Sequence, residues 1–281
     1  MLKTIIAGAG RYLSGRSDLG PRANILYLKP MRDRPTNYGG ANTNAVYEPY
    51  AMRIRNLRRL HVAPALEVQG FTLVNAPSAV DDFYDDAQVL SQYYRETERL
   101  VEQVTGASRV VVIDHITRRR PVDDPSGAIP GKSRRPVIHV HVDYTLNSAE
   151  LAVRHAKEVG ECDLPEGRVR IVNVWRPIRG PLSDMPLALC DARTVETADL
   201  VPTDMVYPGK VWETYSVTAN SRHQWFYAPL MTKDEALLFK CFDSEEDSRA
   251  RFTPHAAFYD PAASEHAIPR ESIEVRTLVF G

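Results

Sequence analysis

The amino-acid sequence predicts a mainly β fold with flanking helices. Downstream of residue 108, six or more short segments rich in β-branched or aromatic residues are each bounded by Pro, Gly, Asn or Asp, the pattern of strands separated by turns. Helical patterns precede or interrupt these segments. No internal repeat, low-complexity tract or linker divides the 281 residues, and barrels of this length are often a single domain. We therefore expect a double-stranded β-helix (jelly-roll) barrel.

The whole chain, residues 1–281, is expected to be one domain. Within it, residues 1–107 are predicted to form an N-terminal arm and a supporting helix, and residues 108–281 the barrel. An extended segment at 23–28 and a Pro-, Gly- and Asn-rich stretch at 30–44 indicate that the arm wraps the barrel.

Two helices are predicted from spacing and end signals. The clearer one begins at Asp81 or Asp82 and ends near Gly106, because apolar residues recur there at near-helical spacing. A shorter one begins at Ser148, a residue type that caps helices, and ends near Gly160. The predicted strands cover residues 71–74, 109–114, 137–144, 168–175, 186–190, 211–217, 223–227, 236–242 and 272–280.

Composition excludes several classes of partner. The net charge is −1, from 35 basic and 36 acidic residues, so we expect no nucleic-acid partner and no anionic membrane surface. The basic clusters 118–120 and 134–135 are interpreted as solvated loops. Three cysteines without metal-ligand spacing (Cys162, Cys190 and Cys241) indicate a reducing compartment. With no complete signal peptide and no apolar run of about 18 residues, a cytoplasmic location is expected.

One strand carries a candidate metal site. His141 and Asp143 lie two residues apart and therefore face the same side of a strand. With one distant histidine they would form the two-His-one-carboxylate set that binds non-haem Fe(II) and leaves three positions open. His-x-Asp alone is a common pattern, often no more than a half-buried strand. His255 is favoured as the third ligand and His223 is the alternative, while His139 is a candidate for supporting the ligands.

The segment after His255 supplies a candidate carboxylate anchor. The planar fork of Arg270 can bind a carboxylate through two nitrogens, and Ser272 on the same face can donate to the same group. Arg276 shares this face and is an alternative anchor; otherwise it is an ion-pair partner for Glu274, a substrate contact or a charge at the barrel rim. The combination predicts an oxygenase that uses Fe(II) and 2-oxoglutarate.

Five segments resemble signature motifs of the CmcJ/AsaB/NvfI-like family of Fe(II)/2-oxoglutarate-dependent oxygenases. The resemblance covers roughly residues 135–281 and is weaker in the N-terminal third. The five segments are residues 139–145, 173–177, 186–191, 234–240 and 269–276.

The resemblance implies an enzyme of specialised metabolism. It implies that Fe(II), 2-oxoglutarate and O₂ are used to oxidise an unactivated C–H bond of a small natural-product molecule, by hydroxylation, desaturation or a related rearrangement. It further implies that His141, Asp143 and His255 bind iron and that Arg270 holds the cosubstrate. Additional candidate cofactor contacts are Ser272, Arg276 and Thr145, and candidate pocket residues are Trp175 and Arg176.

Two other functions compete with this interpretation. A cupin-like metalloenzyme that does not use 2-oxoglutarate would keep the three metal ligands but leave Arg270 without a role. A non-catalytic partner protein of a biosynthetic complex would need no metal. No glycine-rich loop follows a strand in the manner of a dinucleotide- or S-adenosylmethionine-binding fold. A homodimer through the N-terminal arm or the helix from Asp82 is an option by fold analogy.

Overall fold

The computed structural model describes residues 19–38, 42–121, 133–158 and 164–281. Three of the sequence-based expectations lie outside these residues: the nature of the N-terminal segment, the helix end near Gly160, and the environment of Cys162. The other two cysteines, Cys190 and Cys241, are buried and form no disulfide with each other.

Strands dominate the described residues and form two sheets. The strands are β1 (Arg22–Leu28), β2 (Thr36–Asn37), β3 (Tyr47–Asn56), β4 (Phe71–Asn75), β5 (Arg109–Arg119), β6 (His141–Val142), β7 (Val169–Pro177), β8 (Leu187–Cys190), β9 (Leu200–Tyr207), β10 (Lys210–Val217), β11 (Trp225–Tyr227), β12 (Glu235–Asp243), β13 (His255–Ala257) and β14 (Glu271–Phe280). The large sheet has the order β1-β3-β11-β8-β13-β6-β10-β9-β2, and the small sheet β4-β12-β7-β14-β5. The predicted jelly-roll fold is confirmed.

The main hydrophobic core lies between the two sheets. Alternate residues of each strand point inward, so the small sheet contributes Trp175, Phe239 and Leu278, and the large sheet contributes Leu189 and Phe226. All five are almost completely shielded from solvent. Residues of β13 and β14 and Asp143, which follows β6, are buried in the same interior.

One helix covers the outer face of the small sheet. Helix α1 comprises Asp86–Gln88, a π-helical turn at Val89–Tyr93, and Tyr94–Thr105. It begins after Asp85, whose side chain accepts a hydrogen bond from the amide of Ala87. It ends at Gly106, whose φ of 66° is the left-handed conformation that glycine adopts without strain. Its buried residues pack on β14, including Tyr93 on Ile273 and Val275.

The second helix, α2 (Leu146–Glu158), begins two residues before the predicted start. The backbone amide of Thr145 donates to Ser148 Oγ (2.9 Å), and the amide of Ser148 donates to Thr145 Oγ1 (3.2 Å). These reciprocal bonds satisfy amide groups that the first helical turn leaves free. The cap therefore belongs to Thr145, with Ser148 in the first turn.

The N-terminal third is more than an arm. Strand β1 pairs with β3, and isolated bridges join Leu26 to His139 and Leu28 to Thr218, so this end of the large sheet closes on itself. A second core fills the closed end, with Tyr27 and Trp225 among its buried residues. Strand β4 belongs to the small sheet. Residue 107 is therefore no boundary between sheets, and the single-domain assignment stays a prediction.

Within the described residues, no helix combines the length and the apolar character that crossing a membrane requires.

Candidate metal and cosubstrate site

Two neighbouring strands of the large sheet bring the predicted histidines together. His141 on β6 is the direct cross-strand partner of His255 on β13, and their ring centroids lie 4.3 Å apart. Asp143 follows β6 immediately, and its Oδ1 lies 3.6 Å from His141 Nε2. The potential ligand atoms of the three residues all lie within 4.8 Å of one another. The fold thus assembles the cluster that the sequence predicted.

Backbone carbonyls fix the orientation of both imidazoles. His141 Nδ1 lies 3.0 Å from the carbonyl oxygen of His139, and His255 Nδ1 lies 3.0 Å from that of Thr253. A carbonyl only accepts, so each Nδ1 must carry the proton and each Nε2 the lone pair. His139 thus supports His141 through its backbone, while its ring stacks on Tyr47 at 4.4 Å.

The cluster has the protonation state that a metal site needs. Burial lowers the pKa of His141 to about 3 and also lowers the pKa of His255, so both rings are neutral at pH 7. Burial opposes ionisation of Asp143, but nearby His255 and Arg276, with a hydrogen bond from Asn173, hold its pKa below the usual range. The set is therefore two neutral imidazoles and one carboxylate.

An unpaired ring nitrogen shows that this set fits a metal ion. His255 Nε2 is shielded from solvent and has no hydrogen-bond partner in the described part of the chain, an arrangement that costs free energy unless a ligand occupies it. Asn173 Nδ2 donates to Asp143 Oδ2 at 2.7 Å, so Oδ1 remains on the side of His141. Donors of this type and number suit a divalent transition metal such as Fe(II).

Two hydrogen bonds and one aromatic contact fix the guanidinium group of Arg270 next to the start of β14. Its Nε donates to Ser272 Oγ (3.1 Å) and its Nη1 to the carbonyl of Met185 (2.9 Å). The guanidinium carbon lies 4.9 Å from the centre of the Trp175 ring, a cation–π contact. Nη2 has no hydrogen-bond partner among the described residues. Burial, followed by the charge of Arg118, lowers the Arg270 pKa to about 9, which leaves the group cationic at pH 7.

Arg276 already has an anionic partner. Its Nε lies 2.6 Å from Asp114 Oδ1 and its Nη2 2.7 Å from Asp114 Oδ2, a two-point ion pair with β5. The ion pair with Glu274 that the sequence suggested is not formed. Because the fork of Arg276 is engaged in this way, the geometry favours Arg270 over Arg276 as a carboxylate anchor.

Thr145 lies in a different environment from the one expected of a cofactor contact. Its hydroxyl donates to the carboxylate of Glu213 and accepts from the amide of Ser148 at the start of α2. The hydroxyl therefore has one partner on β10 and one at the start of the helix. A cofactor contact of Thr145 stays a prediction.

Trp175 and Arg176 separate to opposite faces of β7. Trp175 is paired in register with Glu274 and packs in the core between the sheets. Arg176 points to the other face, where its Nε donates to the hydroxyl of Tyr93 on α1 at 2.8 Å. The expectation that both residues line the pocket is therefore wrong for Arg176.

His223, the alternative third ligand, does not join the cluster. Its Nδ1 lies 2.9 Å from Tyr27 Oη and its Nε2 3.1 Å from Asp199 Oδ2, both within the closed end of the large sheet. Neither ring nitrogen is free for a metal. The structure therefore selects His255 over His223.

Three interior residues near the cluster were not predicted as part of the site. Asn173 binds Asp143, and Glu274 is buried on the inner face of β14. Arg118 was interpreted as part of a solvated cluster, but β5 extends to residue 119 and places Arg118 directly opposite Ser272. The alternation of Asp114, residue 116 and Arg118 along a continued strand is the signal that would have revealed this.

Comparison with known proteins agrees with the site. A family model described as an oxidoreductase/YMDC permease-like domain matches residues 25–280. The hydroxylase/desaturase efuI of Hormonema carpetanum is 35% identical over 261 residues, which span 85% of this chain and 86% of that protein. The Fe(II)/2-oxoglutarate-dependent dioxygenase nvfI of Aspergillus novofumigatus is 32% identical over 273 residues, spanning 94% and 93%.

The fold also matches a solved structure. The iron and alpha-ketoglutarate-dependent endoperoxidase NvfI superimposes with a TM-score of 0.79 and 30% identity, covering 93% of this chain and 98% of that one. The resemblance seen in the sequence motifs is thereby confirmed over almost the whole chain. This chain belongs to the oxidoreductase family that contains the hydroxylase/desaturase efuI and the Fe(II)/2-oxoglutarate-dependent oxygenase NvfI.

Proposed function

We propose that this protein is an Fe(II)- and 2-oxoglutarate-dependent oxygenase that oxidises a C–H bond of a small natural-product molecule. Relatives at 31–35% identity bear the names hydroxylase/desaturase and alpha-ketoglutarate-dependent dioxygenase. One observation carries the proposal: two neutral imidazoles and a carboxylate converge within 4.8 Å, and one Nε2 is buried without a partner.

In this proposal His141, Asp143 and His255 would hold Fe(II), a ligand set that suits non-haem iron. With 2-oxoglutarate as the co-reductant and O₂ as the oxidant, the iron would supply the chemistry that oxidises the substrate C–H bond. The chain's task is to hold these groups in place and to exclude water.

The residues around the triad fix its geometry. The carbonyls of His139 and Thr253 hold each imidazole with its Nε2 facing the site. Asn173 occupies one oxygen of Asp143. Contacts of this kind keep metal ligands in one orientation and tune their affinity.

Arg270 and Ser272 are assigned to the distal carboxylate of 2-oxoglutarate. The contacts with Met185 and Trp175 immobilise the guanidinium before the anion arrives, so little side-chain entropy is lost on binding. Ser272 Oγ accepts from Arg270, and its own proton remains to be donated to the same carboxylate. Arg276 is assigned a structural role through Asp114.

The apolar side chains packed between the sheets shield the buried metal cluster from water. The product, whether an alcohol, an alkene, a ring or a peroxide, then depends on where the target carbon is held relative to the iron. A homodimer and a cytoplasmic location stay predictions.

The decisive experiment is anaerobic reconstitution with Fe(II) followed by titration with 2-oxoglutarate, monitored by the weak visible charge-transfer band of the iron chelate. The wild type is expected to develop the band, and His141→Ala and His255→Ala to lose it. His155→Ala, on the exposed side of α2, is the matched control and should keep it.

Each alternative function gives a different result. Iron binding without a 2-oxoglutarate band would replace the proposal with a cupin-like metalloenzyme. Absence of iron binding would leave the non-catalytic partner protein as the interpretation.

A further inference from the structure

Glu274 is a buried carboxyl group to which the proposed chemistry gives no role. It lies at the centre of β14, where alternation places it on the same inner face as Arg270, Ser272 and Arg276. The residues between them, Ile273 and Val275, face α1 on the other side. Glu274 is only 5% exposed.

Two neighbouring cations have partners elsewhere, whereas Glu274 has no bonded partner within the residues described. Arg270 contacts Ser272 and Met185, and Arg276 forms a two-point pair with Asp114. Across residues 19–38, 42–121, 133–158 and 164–281, Glu274 makes neither a hydrogen bond nor an ion pair. Its oxygens are not completely sealed, unlike the unpaired atoms Asn173 Oδ1 and Trp175 Nε1.

The register places this carboxyl beside the metal cluster. Glu274 is opposite Trp175 on β7, and Arg276 is opposite Asn173, the residue that binds Asp143. Glu274 and Asn173 are therefore diagonal neighbours across these paired strands, and such neighbours lie about 7–8 Å apart. The carboxyl group of Glu274 is thus close to the side-chain amide that binds Asp143. Burial and, next, the charge of Asp143 raise the Glu274 pKa to about 7.

An unpaired buried carboxylate is costly. Transfer of such a group from water without a compensating partner is unfavourable by several kcal/mol, and an aliphatic residue of similar volume would pack here without that cost. A group of this kind beside a candidate metal site is expected when its partner is the ligand.

The charges on the inner face limit which ligand can bind there. On the inner face the carboxylates of Asp143 and Glu274 are matched by the cations Arg118 and Arg270, and the Arg276–Asp114 pair is neutral in itself. Fe(II) and the 2-oxoglutarate dianion carry equal and opposite charges. With Fe(II) and 2-oxoglutarate bound and Glu274 ionised, the net charge of the site is therefore close to zero. A neutral hydrogen-bond donor keeps this balance, whereas an ammonium group would add a positive charge.

We propose that Glu274 is a substrate-binding residue that accepts a hydrogen bond from a hydroxyl group, so the substrate is an uncharged, mainly apolar molecule that already carries a hydroxyl near the oxidised carbon. This inference rests on the proposed oxygenase function. It adds a substrate class and a residue that selects for it.

The test compares matched probes on protein loaded anaerobically with Fe(II) and 2-oxoglutarate at pH 8. One set is 1-adamantanol, 1-methyladamantane and 1-adamantylamine; a second pair is 2-naphthol and 2-methylnaphthalene. Dissociation constants are read from the change in the visible band on probe addition. The wild type should bind the alcohol of at least one set about 10-fold more tightly than its methyl counterpart, the usual effect of one hydrogen bond to a charged group.

Two variants and one control complete the design. Glu274→Leu should abolish the preference for the alcohol and raise the thermal midpoint, because an unpaired buried carboxyl is replaced by an apolar side chain. Glu274→Gln, which keeps a carbonyl acceptor, should retain part of the preference. Glu271→Gln is the control on the outer face of the same strand, where Glu271 accepts from Tyr84 Oη at 2.5 Å, and it should retain the full preference.

The outcomes separate this inference from the function on which it rests. Absence of the visible band in the wild type contradicts the oxygenase. A normal band with no alcohol preference in either set, or with the same preference in Glu274→Leu, overturns the role of Glu274. Tighter binding of 1-adamantylamine than of 1-adamantanol would overturn the uncharged substrate class.

Discussion

His141 and His255 are direct cross-strand neighbours, with ring centroids 4.3 Å apart, and each Nδ1 is bonded to the carbonyl of the residue two positions earlier. On both strands, therefore, the same backbone hydrogen bond orients an imidazole toward one common point. Asp143 completes the cluster from the turn that leaves β6. This symmetry makes iron affinity depend on the backbone of two strands as well as on three side chains.

Loss of the amide that holds Asp143 is expected to weaken iron binding without removing a ligand. Asn173→Ala frees one oxygen of Asp143, and such changes typically lower metal affinity by about 10- to 100-fold. Competition against a chromophoric Fe(II) chelator measures the change. Asn24→Ala, at an exposed position of β1, should match the wild type. Equal affinities for Asn173→Ala and wild type would show that Asn173 does not orient the ligand.

Substitutions of Arg270 and of Arg276 are expected to change different properties of the protein. Arg270→Lys removes the planar fork and should weaken 2-oxoglutarate binding by roughly 10-fold or more at unchanged iron affinity. Arg276→Lys disturbs the partly exposed pair with Asp114 and should lower stability by no more than about 1 kcal/mol. Titration of the visible band and thermal unfolding measure the two quantities. The reverse pattern would move the cosubstrate anchor to Arg276.

Replacement of His223 is expected to affect stability alone. The ring bridges Tyr27 and Asp199 inside the closed end of the large sheet, so His223→Leu leaves buried polar groups unpaired and should cost about 1–3 kcal/mol. Denaturant unfolding measures the loss. The Fe(II)/2-oxoglutarate band should form as in the wild type, and its disappearance in a folded variant would reinstate His223 as a ligand.

Thr145→Val is expected to weaken helix α2 and leave cosubstrate binding unchanged. The substitution removes the hydroxyl that accepts from the amide of Ser148, and loss of such a cap costs about 1 kcal/mol. Thermal unfolding measures the cost and the visible band reports 2-oxoglutarate affinity. A weaker affinity for 2-oxoglutarate would support Thr145 as a cofactor contact.

A buried ion network at the far end of β12 is expected to control acid stability. Lys240 Nζ lies 2.7 Å from Asp243 Oδ2 and 3.0 Å from Glu67 Oε2, and Arg168 also binds Asp243. Burial opposes ionisation of Asp243, but hydrogen bonds from Arg168 and Lys240 outweigh it and lower its pKa. A folded-state pKa below the unfolded value of about 3.9 stabilises the protein above that pH.

This contribution should disappear as the pH falls below about 4 and Asp243 becomes protonated. Asp243→Asn should lower stability at pH 7 by about 3–5 kcal/mol, because the cations lose a buried partner, and should flatten the acid limb of the profile. Unfolding between pH 3 and pH 7 tests both statements. Glu246→Gln, at an exposed loop position, should keep the wild-type profile.

The alternation of residues along a strand correctly predicted which side chains of one strand share a face. The period-2 spacing placed His141 with Asp143, and Arg270 with Ser272, on shared inner faces, and the structure agrees. The expected position of Arg176 was wrong because its side chain binds Tyr93 on the outer face, and the hydroxyl of Thr145 has a partner, Glu213, that the sequence did not indicate. Adjacency in sequence says nothing about such pairings.

Long-range pairing explains the remaining differences. Strand β6 has only two residues, where eight were predicted, because the amide of Val140 pairs with Leu26 of β1 rather than continuing the ladder. Arg118 was missed since its cluster resembles a loop, and only pairing with β14 shows that β5 continues through it. Glu274 was visible in the sequence, but its lack of a partner is a property of the assembled interior.

The bridge from Leu26 to His139 connects strand β1 to the candidate iron site. The carbonyl of Leu26 accepts from the amide of Val140 at 2.9 Å, and the carbonyl of the adjacent His139 orients the imidazole of His141. Iron loading and the docking of β1 are then linked equilibria, and each must favour the other. The amide of Val140 should exchange with deuterium more slowly once iron is bound. Docking of β1, which lies in the part of the chain with the weaker family resemblance, would in this way be a condition for an ordered metal centre.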